Sequence, residues 1–154
     1  PDEGLLPVRS RWLQDGPTPS PIATLAVASA QLYHVGGEPA HARRVQDTFD
    51  RYAGEIAAAP AAYAALITAL GWLRETTLLA FTGSERAGLE AAAASALPGY
   101  ALATASDGTA PLPPDHPAAD KGPVDGTAAL WVCRQGSCRP PVTDPGDVAA
   151  ALAR

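Results

Sequence analysis

Thr76-Thr77-Leu78-Leu79-Ala80-Phe81-Thr82-Gly83 is the stretch on which the fold turns. Before it, apolar residues recur every three or four positions, the period of a helix. Within it they run without a break, with β-branched threonines at the ends and a glycine to close, which is the pattern of a short buried strand. The chain therefore changes architecture near residue 76.

Downstream, Ser84 reads as the cap of a helix reaching Leu97, and Tyr100–Ala105 as a second strand after Pro98-Gly99. A strand, a helix and a strand in that order predict a parallel pair joined by a crossover. Residues 106–126 are rich in Pro, Gly and Asp and predict a long surface loop. Ala128–Cys133 predicts a third strand, Arg134-Gln135-Gly136-Ser137 a tight turn with a short return through Cys138, and Asp144-Pro145 the cap of a last helix running to the end.

Upstream, Ser20-Pro21 opens a helix: serine can accept from free amide groups, and proline has a ready helical φ at the first position. Ile22, Leu25, Ser29 and Leu32 predict its stripe, and Gly36-Gly37 its end. Val45, Phe49, Tyr52 and Ile56 mark one face of a second helix from Pro39, and Tyr63, Leu66, Ile67, Leu70 and Leu73 mark a third from Ala61 to Arg74. Short connections make such helices antiparallel neighbours. The expected fold is α+β with an α/β second half: an irregular connection over 1–17, helical hairpins over 18–75, and a small βαβ-β unit with a C-terminal helix over 76–154.

The 154 residues carry 11 basic and 16 acidic side chains, a formal charge of −5. That balance offers no footprint for nucleic acid. Gly, Pro or charge breaks every apolar run before the ~18–20 residues that a membrane span needs. Two cysteines are too few for a secreted disulfide scaffold, so a cytoplasmic setting is expected. Pro1-Asp2-Glu3 reads as an internal boundary, with further polypeptide expected upstream.

The segment Thr127-Ala128-Ala129-Leu130-Trp131-Val132-Cys133-Arg134-Gln135-Gly136-Ser137-Cys138-Arg139-Pro140-Pro141-Val142-Thr143-Asp144-Pro145 resembles the tail of the thioredoxin-domain-containing proteins related to spermatogenesis-associated protein 20. Asp15-Gly16-Pro17-Thr18-Pro19-Ser20 is similar to that family's lead-in to a helix, and Thr77–Gly83 to its apolar strand. The chain departs from the pattern after Ser20, where Pro21-Ile22-Ala23 replaces Gly-Asn-Ser. The resemblance implies a thioredoxin-like domain, then a six-hairpin glycosidase-like α/α toroid, then this tail. It implies that the partner of the helices is the rest of the parent polypeptide, with a carbohydrate-like small molecule as the class of ligand.

Few residues point to chemistry. Cys133 and Cys138 flank a turn and can face each other across a hairpin, with Cβ atoms about 4.5–5.5 Å apart where a bridge wants about 3.5–4.5 Å. A pinned hairpin, a packed pair of thiols and a redox module all remain open. Two cysteines supply half of a zinc site, and His34, His41 and His116 lie on unrelated segments, so no metal is expected. No cofactor motif occurs: Gly83-Ser84-Glu85 lacks the glycines of a nucleophile elbow, and Gly88 is followed by Leu89 rather than lysine. Sugar chemistry needs paired carboxylates, and Asp15, on the loop before the first helix, is the acid to watch. Ser20, Lys121 and Asp125 complete the candidate pocket or loop residues, the last two by position in the family tail. Trp12, Trp72 and Trp131 are expected in the core.

Overall fold

The computed structural model describes residues 12–107 and 112–153. Residues 1–11 of the expected 1–17 connection, residues 108–111 of the expected 106–126 loop and the final Arg154 lie outside the described residues.

Ser20 starts α1 (Pro21–Gly36) as its sequence requires: its hydroxyl accepts from the Ala23 amide at 3.2 Å, and Pro21 takes the first helical position. Gly37 ends the helix in the left-handed region at φ 75°, donating to the Tyr33 carbonyl. Then come α2 (Pro39–Arg51), a short α3 (Ala53–Ala58), a 3-10 turn over Pro60–Tyr63, and α4 (Ala64–Glu75). Val45, Ile56, Tyr63 and Leu66 are buried together, with Phe49, Tyr52 and Leu73 packed at the margin, but the helix expected to carry Val45 through Ile56 is broken at Tyr52, and Ile67, expected on the apolar face, is 39% exposed.

The face of α1 differs from the expected one. Its buried residues are Ala23, Ala26, Ser29 and Ala30, while Leu25 and Leu32 are 57% and 51% exposed. The cause is close approach: α1 packs against both α2 and α4, and only small side chains fit between backbones that near. The large residues Leu25, Leu32 and Val35, seven and three positions apart, are left on the opposite side with the exposed Ala28.

β1 (Thr77–Thr82) lies at the centre of a four-stranded sheet of order β2-β1-β3-β4 and is buried along its whole length. It runs parallel to β2 (Ala101–Ser106) and antiparallel to β3 (Ala129–Arg134), which turns back into β4 (Ser137–Cys138). Leu79 and Phe81 face the same way as Leu130 and Val132, and this side is covered by Leu89 of α5 (Ala87–Ala94) and by Val148 and Leu152 of α6 (Val148–Leu152). The other side carries Leu78, Ala80 and Cys133, also buried, and β2 touches α1. Mixed α+β architecture with a parallel β1/β2 pair is thus observed; among the described residues the helices pack as a cluster, without a ring.

Three further expectations change. The helix after β1 does not begin at Ser84 or reach Leu97. Gly83, at φ 89° with its Cβ position 3.0 Å from the Ala128 backbone, bends the chain first; Arg86 then donates to the Gly83 carbonyl at 2.7 Å, and α5 starts at Ala87. The segment 112–126 is not simply surface, since His116 and Ala118 are 3% and 0% exposed. It ends in a hairpin of its own, in which Val124 and Thr127 exchange amide bonds around Asp125 and Gly126, both at positive φ. Trp12 is 67% exposed rather than in the core. Asp144 does cap the final turn, accepting from Gly146 N at 2.8 Å.

Candidate functional site

The four pocket candidates fall in two places, and Asp15 and Ser20 are taken up by backbone amides. Asp15 accepts from the Ser20 amide through one carboxylate oxygen at 2.9 Å and from the Ala65 amide through the other at 2.8 Å, while its own amide donates to Ala62 O. It therefore joins the start of α1 to the start of α4, where free amides and the helix dipole favour a negative charge. Ser20, buried, is occupied as the α1 cap. Lys121 pairs with the exposed Asp120 at 2.8 Å and lies 5.5 Å from the centre of the Trp131 ring. Trp131 in turn donates to Gly122 O at 3.0 Å, so the two side chains clamp this segment onto β3. Asp125 is a turn residue at φ 48°.

Cys133 and Cys138 sit directly opposite each other in the β3/β4 register and are joined as a disulfide. The turn that sets them there is Gln135-Gly136, both at positive φ, the two-residue geometry that matches strand twist. Cys133 is buried. The Cys138 sulfur lies 3.4 Å from Pro117 O, a packing contact, because a bridged sulfur carries no proton. Arg134 and Arg139, on the same hairpin, donate to the Leu152 carbonyl at 2.8 Å and the Ala151 carbonyl at 3.2 Å. Cations thus meet the last carbonyls of α6, the negative end of that helix.

No known protein family, curated protein or solved structure matches this chain. The site has to be read from its own geometry.

Sequence reasoning passed over a concavity that the fold creates. A groove of about 610 Å³ opens between the helices and the β3–β4 turn, bounded by His34 on α1, Arg43 and Gln46 on α2, Arg74 on α4, Asp115, and Gln135 at the turn. His34, half-buried, lies 3.0 Å from Trp72 O and 3.2 Å from Leu73 O through Nε2. Carbonyls only accept, so Nε2 carries the proton. Burial lowers the His34 pKa below its usual value, and the bonds to the two carbonyls oppose that shift. His116, between groove residues Asp115 and Pro117, accepts from the Ala118 amide through Nδ1 at 3.1 Å. Its Nε2 has no partner among the described residues, and burial lowers its pKa as well.

His34, His41 and His116 do not converge with the cysteines, and among the described residues no group of three or more His, Cys, Asp or Glu is placed to hold a metal ion. None of the described helices is long and apolar enough to cross a membrane. A helix end and a Pro-rich stretch gave no sequence cue that His34 and the segment around His116 would face one cleft.

Proposed function

We propose that this chain is the carboxy-terminal region of a thioredoxin-domain-containing protein of the kind related to spermatogenesis-associated protein 20, and that it completes a helical toroid without an activity of its own. The observation that supports this most is α1. One of its sides is packed with alanine against α4, and the other presents Leu25, Leu32 and Val35 to solvent. A helix apolar on opposite sides belongs in an interior, with something on each. The occupant in this reading is the preceding helical hairpins of the same polypeptide.

The roles of the polar candidates agree with a structural part. Asp15, the acid expected to work on a sugar, has both oxygens engaged by backbone amides, which leaves a carbohydrate-modifying reading without its acid in this segment. The bridged Cys133, buried within the sheet, fits a pinned hairpin better than thiol exchange, which needs an accessible sulfur. A cytoplasmic setting belongs to this reading, and burial of Cys133 is what would shield the bridge from a reducing pool there.

The test is expression of the 154-residue chain alone and together with its upstream coding region. The chain alone should bind a hydrophobic dye, and it should capture the upstream helices. Leu25→Lys with Leu32→Lys should abolish both, with folding stability changed by less than about 0.5 kcal/mol, as for exposed positions generally. An upstream sequence without helical hairpins, or a double variant that captures them as well as the parent chain, overturns the proposal.

A further inference from the structure

The groove between the helices and the β3–β4 turn is independent of how the chain fits into a larger protein. Its volume of about 610 Å³ lies inside the ~300–1,000 Å³ span of small-ligand sites. The chain as a whole carries −5, yet the groove wall holds Arg43 and Arg74 against one carboxylate, Asp115. The two arginines come from different helices, α2 and α4. Among the described residues neither forms an ion pair, and the bond from Arg74 to Gln46 is long, at 3.4 Å. Both guanidinium forks have donors available, and a planar fork is matched to carboxylate or phosphate oxygens.

The walls are held by contacts a ligand need not induce. Gly37 lets the backbone of Asp115 approach to where a Cβ would sit only 2.8 Å away, which presses that wall against the end of α1. His34 is fixed by the carbonyls of Trp72 and Leu73, and the disulfide closes the hairpin whose turn presents Gln135. Gln46, Gln135 and Asp115 add acceptors and amide donors suited to hydroxyl groups. Such a preset site loses little freedom on binding.

We propose that this groove binds a small hydroxylated anion, a phosphate ester or a carboxylate of a polyol, held through Arg43 and Arg74. The full 154-residue chain is titrated with glucose 6-phosphate, gluconate, inorganic phosphate and glucose, and amide chemical shifts are followed. Saturable shifts centred on the groove are expected for the phosphate ester or the carboxylate, and the stronger of the two identifies the anion. Glucose alone should give none. Arg43→Gln and Arg74→Gln should each weaken binding about tenfold, whereas Arg51→Gln, on the exposed end of α2 away from the groove, should leave it unchanged. Both arginines are exposed, so the variants keep the parent melting temperature and a loss of binding is not a loss of fold. Absence of saturable shifts with every anion, or equal binding by the Arg43/Arg74 double variant, overturns the proposal.

Discussion

Asp15 shows how a single side chain can splice two helices. One carboxylate oxygen takes the Ser20 amide at the mouth of α1, the other the Ala65 amide in the first turn of α4, 50 residues along the chain. Hydrogen bonds to a charged group contribute about 1.5–3 kcal/mol each in net terms, and the partial exposure of Asp15, which lets water take over the freed amides, trims the pair well below that sum. Asp15→Ala should therefore lower stability by about 2 kcal/mol, read from urea midpoints. Asp15→Asn should fall between, since its NH2 meets one of the two amides donor to donor. A cost below about 0.5 kcal/mol for the alanine variant would mean that water replaces the carboxylate without loss. An acid on the loop before a helix stood out in the sequence as a residue with work to do. Its second partner was illegible, because nothing local to Asp15 specifies Ala65. Gly37 is the same case: its role as a helix stop follows from residue type, while its closeness to Asp115 is a tertiary fact.

At the scale of elements, periodicity located α1, α2, α4 and the strands, and misread which side of α1 is inside. A rule that sends large apolar residues inward fails where two helices approach closely, because Ala23, Ala26 and Ala30 are then the residues that fit. The start of α5 was missed for a related reason, since the chain must first clear Ala128 at Gly83. The Asp125-Gly126 hairpin, by contrast, carried a readable dipeptide signal between Val124 and Thr127 that its Pro-rich surroundings obscured. The β3–β4 hairpin was legible down to its turn, and its bridge makes a clear prediction. Closing the loop 133–138 removes freedom from the unfolded chain, by about 2 kcal/mol for so short a loop on the entropy scale. Urea denaturation with and without a dithiol reductant should differ by about that amount, with Cys133→Ser/Cys138→Ser matching the reduced chain. The α6 end should loosen with it, because Arg134 and Arg139 reach the α6 carbonyls from this hairpin; unchanged amide exchange in α6 after reduction would separate the two.

The whole molecule has two separate cores, one between the sheet and α5/α6 around Leu130 and Val148, the other among the helices around Val45 and Leu66. Trp72 and Tyr100 pack edge to face at 5.2 Å where α4 and the start of β2 come together. His34 and the 112–122 segment carrying His116 belong to the same seam, and this gives the joint a pH response. Both rings have folded pKa values below the ordinary 6.5 because burial disfavours the imidazolium. From about pH 7.5 upward both rings are neutral, folded or unfolded, and they contribute no pH dependence. As pH falls from there through the ordinary 6.5, the unfolded chain takes up protons that the folded chain resists, so stability is lost progressively down to the folded pKa values. His116 bears most of this, since its Nε2 has no acceptor among the described residues to steady a charge, whereas the carbonyls of Trp72 and Leu73 give His34 partial relief. The melting temperature should drop between about pH 7.5 and 5.5, a window above the range where ordinary carboxylates titrate. His34→Gln keeps a donor for the two carbonyls, and His116→Asn keeps an acceptor for the Ala118 amide. The doubly substituted chain should therefore fold and show a flatter profile over that window, with His116→Asn alone accounting for the larger share. A profile as steep as that of the parent chain would place the acid sensitivity outside the seam.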